Sequence, residues 1–113
     1  MKKVLIIDDE VDFCLLMRQF LQKKHFKVEI AHTLAEGEEK MRRDKPDLIF
    51  LDNNLPDGTG WESVRHMISL NPNVRINLMS AFKNTWTQTN LAQVRILEKP
   101  VSFSRLESCL NDA

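Results

Sequence analysis

The sequence predicts an α/β fold in which helices cover both faces of a parallel β-sheet. Short apolar runs rich in Val, Ile and Leu alternate five times with longer stretches of helical periodicity. This alternation is typical of repeated strand–helix units. A chain of 113 residues is also long enough to bury a core of its own, so residues 1–113 are expected to form one domain.

Five strands are expected, over residues 4–8, 26–31, 47–52, 74–80 and 94–98. The first and third are continuously apolar, as central parallel strands covered on both faces are. The second alternates polar and apolar residues, which is typical of an edge strand. Right-handed crossovers leave few arrangements for five such units. The flavodoxin-like (βα)5 doubly wound sandwich, with strand order 2-1-3-4-5, places the second strand at an edge.

Capping residues mark three helix starts. Thr33 with Glu36, and Thr59 with Glu62, have the spacing at which each side chain satisfies an unpaired amide of a first helical turn. Ser102 is a suitable N-cap for the last helix. The sequence therefore predicts helices that begin directly after these residues.

Two helices can be characterised further from their residues. The first, residues 12–24, is expected to bury an apolar stripe at helical spacing, formed by Phe13, Leu16, Met17, Phe20 and Leu21. Residues 84–90 are poor in helix formers, so the fourth helix is expected to be short, distorted or mobile.

The overall composition excludes several classes of protein. Hydrophobic residues make up 42% and charged residues 28%, with a formal net charge of zero, as in an ordinary globular protein. A neutral chain lacks the attraction to phosphates of a basic domain, so direct nucleic-acid binding is not expected. The first apolar run is too short for a signal peptide or a membrane span, so we expect a cytoplasmic location and no membrane contact.

The cysteines and histidines show no metal-binding pattern. Cys14 and Cys109 have neither a zinc spacing nor a Cys-x-x-Cys spacing, and we expect two buried, reduced thiols. His25, His32 and His66 have no ligand spacing and are expected at the surface.

Polar residues end the predicted strands. Asp8 and Asp9 close the first strand, Asp52 the third and Ser80 the fourth, while Lys99 follows the fifth. The carboxyl ends of parallel strands meet at one edge of a sheet, so these side chains should converge. Clustered carboxylates repel by roughly 4 kcal/mol per pair at an effective dielectric near 20, so the cluster must bind protons or a cation. Oxygen ligands without His or Cys favour Mg²⁺.

Such a set of groups is suited to phosphoryl chemistry. A carboxylate can attack phosphorus and form an aspartyl phosphate. Lys99 would then neutralise phosphoryl oxygens, and the Ser80 hydroxyl would donate a hydrogen bond to one of them.

Four motifs in this order resemble the receiver domain of bacterial two-component response regulators. They are VLIIDDE at residues 4–10, DNNLPDGTG at residues 52–60, Ser80-Ala81 and Lys99-Pro100. The resemblance covers the whole chain. It implies that Asp52 accepts a phosphoryl group from a sensor histidine kinase, a histidine phosphotransfer protein or a small phosphodonor.

The resemblance also implies a role for each site residue. Mg²⁺ would be held by Asp9, Asp52 and the main-chain carbonyl of Asn54, with Asp8 acting largely through water. Ser80 would be the switch hydroxyl and Lys99 the residue that pairs with the phosphate. The signal would appear on the surface of the fourth helix, fifth strand and fifth helix, and a homodimer through this surface is left open. Such a domain is not an enzyme for a separate substrate, since it catalyses only its own phosphorylation and dephosphorylation.

One departure from the family bears on the switch. Ile96 stands where receivers usually carry Tyr or Phe, so coupling from phosphate to surface is expected to be weakened or rerouted. The departure supports an alternative, a pseudo-receiver that binds a partner constitutively. A third hypothesis is a Mg²⁺-dependent phosphohydrolase. Two features oppose it: the chain has no room for a substrate-binding insertion, and it lacks the Asp-x-Asp spacing that such enzymes use.

Overall fold

The computed structural model describes residues 2–81 and 92–110. In chain order the elements are β1 (Lys3–Ile7), α1 (Val11–Lys23), β2 (Lys27–Ala31), α2 (Leu34–Asp44), β3 (Leu48–Asp52), β4 (Asn54–Leu55), β5 (Gly58–Thr59), α3 (Gly60–Leu70), β6 (Arg75–Ser80), β7 (Val94–Glu98) and α4 (Phe103–Leu110). The expected fourth helix lies outside the described residues, and α4 corresponds to the expected fifth helix.

Five of the strands form one parallel sheet in the order β2-β1-β3-β6-β7. The two-residue strands β4 and β5 pair with each other in a separate antiparallel hairpin. With the hairpin set aside, the order is the expected 2-1-3-4-5, and the alternating second strand lies at an edge. The flavodoxin-like fold is therefore confirmed.

The register of the sheet aligns the ends of the strands. Ile7 of β1 pairs with Leu51 of β3, and Asp52 pairs with Met79 of β6. The residues that directly follow these pairs therefore emerge side by side at the carboxyl edge of the sheet.

The core has two layers, one on each face of the sheet. In β1, Val4 and Ile6 belong to the layer under α1 and α4, while Leu5 and Ile7 belong to the layer under α2 and α3. Because successive side chains of a strand point to opposite faces, a strand buried on both sides must be continuously apolar. This explains the unbroken apolar runs of β1 and β3.

Helix α1 buries a narrower stripe than its sequence predicts. The fully buried positions follow the spacing i, i+3, i+7 and are Cys14, Met17 and Leu21. Phe13 and Phe20 are half-buried against the same layer. The prediction was wrong for Leu16, which is 53% exposed. One residue of helix corresponds to about 100° of rotation, which turns Leu16 away from the sheet beside Met17.

The predicted helix starts are confirmed. The hydroxyl of Thr33 accepts from the Glu36 amide at 3.1 Å, and that of Thr59 accepts from the Glu62 amide at 3.4 Å. The Ser102 hydroxyl accepts from the Arg105 amide at 3.1 Å.

Cys14 and Cys109 are buried free thiols, as expected. Within the described ranges, the helices are too short or too polar to cross a lipid bilayer.

Candidate functional site

Three carboxylates meet where β1 and β3 end side by side. Asp8 and Asp52 are buried and Asp9 is exposed. One oxygen from each lies within 4.8 Å of the others, and within residues 2–81 and 92–110 this is the single cluster of its kind. The convergence expected from the strand ends is thus present.

The main chain of Asp8 is held from several sides. Its amide donates to the Ala31 carbonyl of the edge strand at 3.0 Å, and its carboxylate accepts from the Glu10 amide at 2.9 Å. Its carbonyl accepts from His32 Nδ1 at 2.8 Å and from the Cys14 thiol at 3.3 Å. These bonds fix the Asp8 carboxylate at the start of α1.

His32 is one residue that sequence reasoning placed wrongly. His25 and His66 are exposed as expected, but His32 is half-buried and bonded to Asp8. The available signal was its position: it directly follows β2, whose end lies beside the end of β1.

Asp52 is oriented by two donors on one carboxylate oxygen. Oδ1 accepts from Lys99 Nζ at 2.8 Å and from the Asn54 amide at 3.2 Å. The Asp52 main chain is also crowded by α3, since a Cβ at Gly60 would lie 2.6 Å from the Asp52 carbonyl oxygen. Only glycine at position 60 allows the helix to begin this close to the site.

The two remaining site residues lie on β6 and the loop after β7. Ser80 is buried at the end of β6, and its carbonyl accepts from the Lys99 amide at 2.9 Å. Ile96 is half-buried in β7, opposite Leu78. The structure therefore brings Asp8, Asp9, Asp52, Asn54, Ser80 and Lys99 to one edge of the sheet, while their roles in phosphoryl transfer stay predictions.

Burial and mutual repulsion shape the electrostatics of the cluster. The pKa of Asp8 is raised to about 6, chiefly by burial; the charge of Asp52 adds to this rise, while the Glu10 amide and Lys99 oppose it. Burial alone would lower the pKa of Lys99, but its hydrogen bond to Asp52 and the negative charges of Asp52 and Asp8 outweigh this effect and raise it. Three carboxylates facing one ammonium group leave an excess of negative charge. A hard divalent cation such as Mg²⁺ fits this all-oxygen set of ligands.

The β4–β5 hairpin adds a contact that the sequence did not reveal. The carboxylate of Asp57, in its turn, accepts from the amides of Leu34 at 2.8 Å and Ala35 at 3.0 Å, at the start of α2. These two bonds lower the pKa of Asp57. The hairpin that begins at Asn54 is therefore tied to α2 at its tip. The turn-prone sequence predicts the loop, but not the helix that it caps.

Curated relatives match nearly the whole chain. The transcriptional regulatory protein ZraR of Klebsiella oxytoca is 24% identical, over 97% of this chain and 26% of its own length. The transcriptional regulatory protein CitB of Klebsiella pneumoniae is 32% identical, over 94% of this chain and 47% of its own length. The chain thus spans less than half the length of each of these relatives.

Solved structures share the fold. A CheY-like response regulator receiver domain protein from Methanospirillum hungatei JF-1 superposes with a TM-score of 0.89 and 27% identity, over 99% of this chain and 92% of that chain. The response regulator protein TrrA from Thermotoga maritima superposes with a TM-score of 0.86 and 22% identity, over 99% and 98% of the two chains. The family model for the response regulator receiver domain matches residues 4–111. This chain therefore belongs to the response regulator receiver domain family.

Proposed function

We propose that this receiver domain accepts a phosphoryl group on Asp52, in the presence of Mg²⁺, from the phosphohistidine of a histidine kinase, from a histidine phosphotransfer protein or from a small phosphodonor. One observation carries the proposal. Lys99 Nζ lies 2.8 Å from the Asp52 carboxylate, at the edge of a cluster in which oxygens of Asp8, Asp9 and Asp52 lie within 4.8 Å of one another. A nucleophile, a cation site and a phosphate-pairing ammonium group are thus adjacent.

The chain's own residues would divide the work of the transfer. The two hydrogen-bond donors on Oδ1 hold the plane of the Asp52 carboxylate, so its attack on phosphorus begins from a fixed geometry. The transfer replaces a carboxylate by an acyl phosphate with more negative charge. Lys99, and the hydroxyl of Ser80 one strand away, would bind the added phosphoryl oxygens.

The magnesium site would be formed by Asp9, Asp52 and the main-chain carbonyl of Asn54, with Asp8 acting largely through water. The ion supplies positive charge that offsets both the carboxylates and the phosphoryl oxygens. The TrrA structure is a complex with Mg²⁺ and BeF, which supports Mg²⁺ binding by this domain. In this proposal the domain catalyses only its own phosphorylation and dephosphorylation.

Phosphorylation would change the surface formed by the expected fourth helix, β7 and α4. Ile96 would transmit the change by a rotamer shift without the ring or hydroxyl usual at this position. The partner on the input side is a kinase or phosphotransfer protein, and a homodimer through this surface is left open. By name, ZraR and CitB are transcriptional regulators, so we propose a cytoplasmic signalling role in which DNA binding belongs to other parts of a regulator.

Intact-mass measurement tests the proposal. Incubation with acetyl phosphate and Mg²⁺ should add one phosphoryl group to the wild-type chain, and none to Asp52→Asn or in the presence of a chelator. Asp47→Asn is the matched control, because Asp47 precedes the opposite end of the same strand and binds the Lys3 amide. Absence of any gain in the wild type would favour the pseudo-receiver, and a gain that persists in Asp52→Asn would place the phosphoryl group elsewhere.

A further inference from the structure

A cavity of about 370 Å³ adjoins the acidic cluster, between the start of α1 and the loop after β7. Its wall includes Asp8, Glu10, Phe13, Met79, Lys99 and Val101. Small-molecule sites span roughly 300–1,000 Å³, so the space suffices for a ligand group larger than a phosphate. Asp8 belongs to the cluster and lines the cavity, and Lys99, which lines the cavity, is hydrogen-bonded to Asp52. Met79 of β6 pairs with Asp52 of β3. A molecule reacting at Asp52 can therefore place a substituent here.

Part of the wall of this cavity is apolar. Met79 is fully buried, while Phe13 and Val101 are half-buried and pack against the core layer under α1 and α4. A phosphoryl group gains nothing from such surfaces. A flat ring gains contact with the half-buried Phe13 ring and Val101 side chain, and aromatic rings pack well against such surfaces.

The rim of the cavity is acidic. Glu10 is exposed at the N-cap of α1, and its negative charge contributes to the raised pKa of both Asp8 and Lys99. The Lys99 ammonium is already bonded to Asp52. A group that enters past Glu10 is therefore stabilised if it carries a positive charge or an N–H donor, and opposed if it is an anion.

We propose that this cavity receives the leaving imidazole ring of a phosphohistidine or phosphoimidazole phosphodonor, and that Glu10 selects for that ring over an acyl leaving group. The inference rests on the proposed function and adds to it the part of the phosphodonor that is recognised. An imidazole ring has the apolar faces that suit Phe13 and Val101, and a second nitrogen that can present a proton to the Glu10 carboxylate.

The transfer balances without a further reactant. An Asp52 oxygen forms the new P–O bond as the N–P bond breaks, and the electron pair of the broken bond stays on that ring nitrogen. The proton on the other nitrogen remains in place, so a protonated phosphoimidazole releases neutral imidazole. At neutral pH the free phosphodonor is protonated only in part, and the Glu10 carboxylate favours the protonated, reactive form. An acyl phosphate instead releases a carboxylate anion, which Glu10 repels.

Phosphorylation rates of the full chain with two phosphodonors test the proposal. Phosphoimidazole and acetyl phosphate are compared at one pH and one Mg²⁺ concentration, for the wild type and Glu10→Gln. We expect Glu10→Gln to slow the reaction with phosphoimidazole by about twofold to fivefold, the effect of one exposed charge pair, and not to slow the reaction with acetyl phosphate. An unchanged ratio of the two rates would overturn the proposal.

Asp12→Asn is the control for net charge, because Asp12 lies in the first turn of α1 and outside the lining of the cavity. The ratio of rates should stay at the wild-type value in this variant, and a donor-selective loss as large as that of Glu10→Gln would refute the role of the cavity. A wild-type chain that accepts no phosphoryl group from either compound contradicts the proposed function itself. A wild-type chain that accepts both, with no effect of Glu10→Gln, contradicts only this inference.

Val101→Phe tests the space rather than the charge. The larger side chain should slow the reaction with phosphoimidazole but not with phosphoramidate, whose leaving group is ammonia and needs no ring-sized space. The phosphoramidate rate also reports whether the variant retains its site. Equal rates with phosphoimidazole in Val101→Phe and the wild type would show that the ring goes elsewhere.

Discussion

Replacing Asp8 by Asn should stabilise the protein in the absence of Mg²⁺. Asp8 is only 1% exposed and lies beside Asp52, so its negative charge is desolvated and repelled in the folded state. Asn keeps the shape of the side chain and an oxygen that can accept from the Glu10 amide, but it carries no charge. The substitution therefore removes a cost and preserves the local hydrogen bond.

The size of the gain follows from the shift in the pKa of Asp8. Its folded value of about 6 exceeds the ordinary value of 3.8, so the folded state binds the proton more tightly than the unfolded chain. The tighter proton binding by Asp8 in the folded state contributes to the free energy of unfolding. This contribution is fully present below about pH 4, falls as the pH rises, and is lost above about pH 6. A shift of about two units corresponds to at most about 3 kcal/mol, so we expect Asp8→Asn to gain about 1–3 kcal/mol at pH 7.5.

Urea unfolding in a chelator, at pH 4 and at pH 7.5, measures the difference. The stability difference between Asp8→Asn and the wild type should be small at pH 4 and appear at pH 7.5. Asp12→Asn, an exposed acid on the same helix, should change stability by less than about 0.5 kcal/mol. Added Mg²⁺ should then stabilise the wild type more than Asp8→Asn, because a ligand stabilises the state that binds it. An Asp8→Asn variant less stable than the wild type at pH 7.5 would refute the reasoning.

Two further substitutions test the supports of the site. Asp57→Ala removes the acceptor of two amides at the start of α2 and should cost about 1 kcal/mol in urea unfolding, as Thr33→Ala should at the same helix end. If the hairpin contact helps to hold Asn54, calorimetry should show weaker Mg²⁺ binding in Asp57→Ala, whereas Thr33→Ala should bind Mg²⁺ as the wild type does. Equal Mg²⁺ binding in the two variants would show that Asp57 contributes to stability but not to the metal site. Gly60→Ala would place a Cβ 2.6 Å from the Asp52 carbonyl oxygen. We therefore expect the free energy of unfolding to fall by about 1–3 kcal/mol and phosphorylation by acetyl phosphate to become slower. A variant with the stability and the rate of the wild type would show that Gly60 is not crowded against Asp52.

The features that could be predicted from the sequence are those that depend on residues close together in the chain. Apolar runs and capping pairs such as Thr33 and Glu36 mark the elements, because periodicity and first-turn hydrogen bonds involve residues close in sequence. Right-handed crossovers then limit how the elements can be arranged. The convergence of Asp8, Asp52 and Lys99 followed from their positions at strand ends, since a parallel sheet brings those ends together.

The features that could not be predicted depend on which surfaces meet. Leu16 fits an apolar stripe in sequence, yet the angle at which α1 packs leaves it exposed. The hydrogen bond between His32 and the Asp8 carbonyl joins residues 24 positions apart in the sequence. The bonds from the start of α2 to Asp57 join residues 22 and 23 positions apart.

The sequence by itself determined the fold, the family resemblance and the identity of the acidic residues, because each is encoded by neighbouring residues or by the order of strands. Only the tertiary structure decided the raised pKa of Asp8 and the cavity beside Lys99. Both depend on burial and on distances between separate elements, which are set when the helices pack against the sheet.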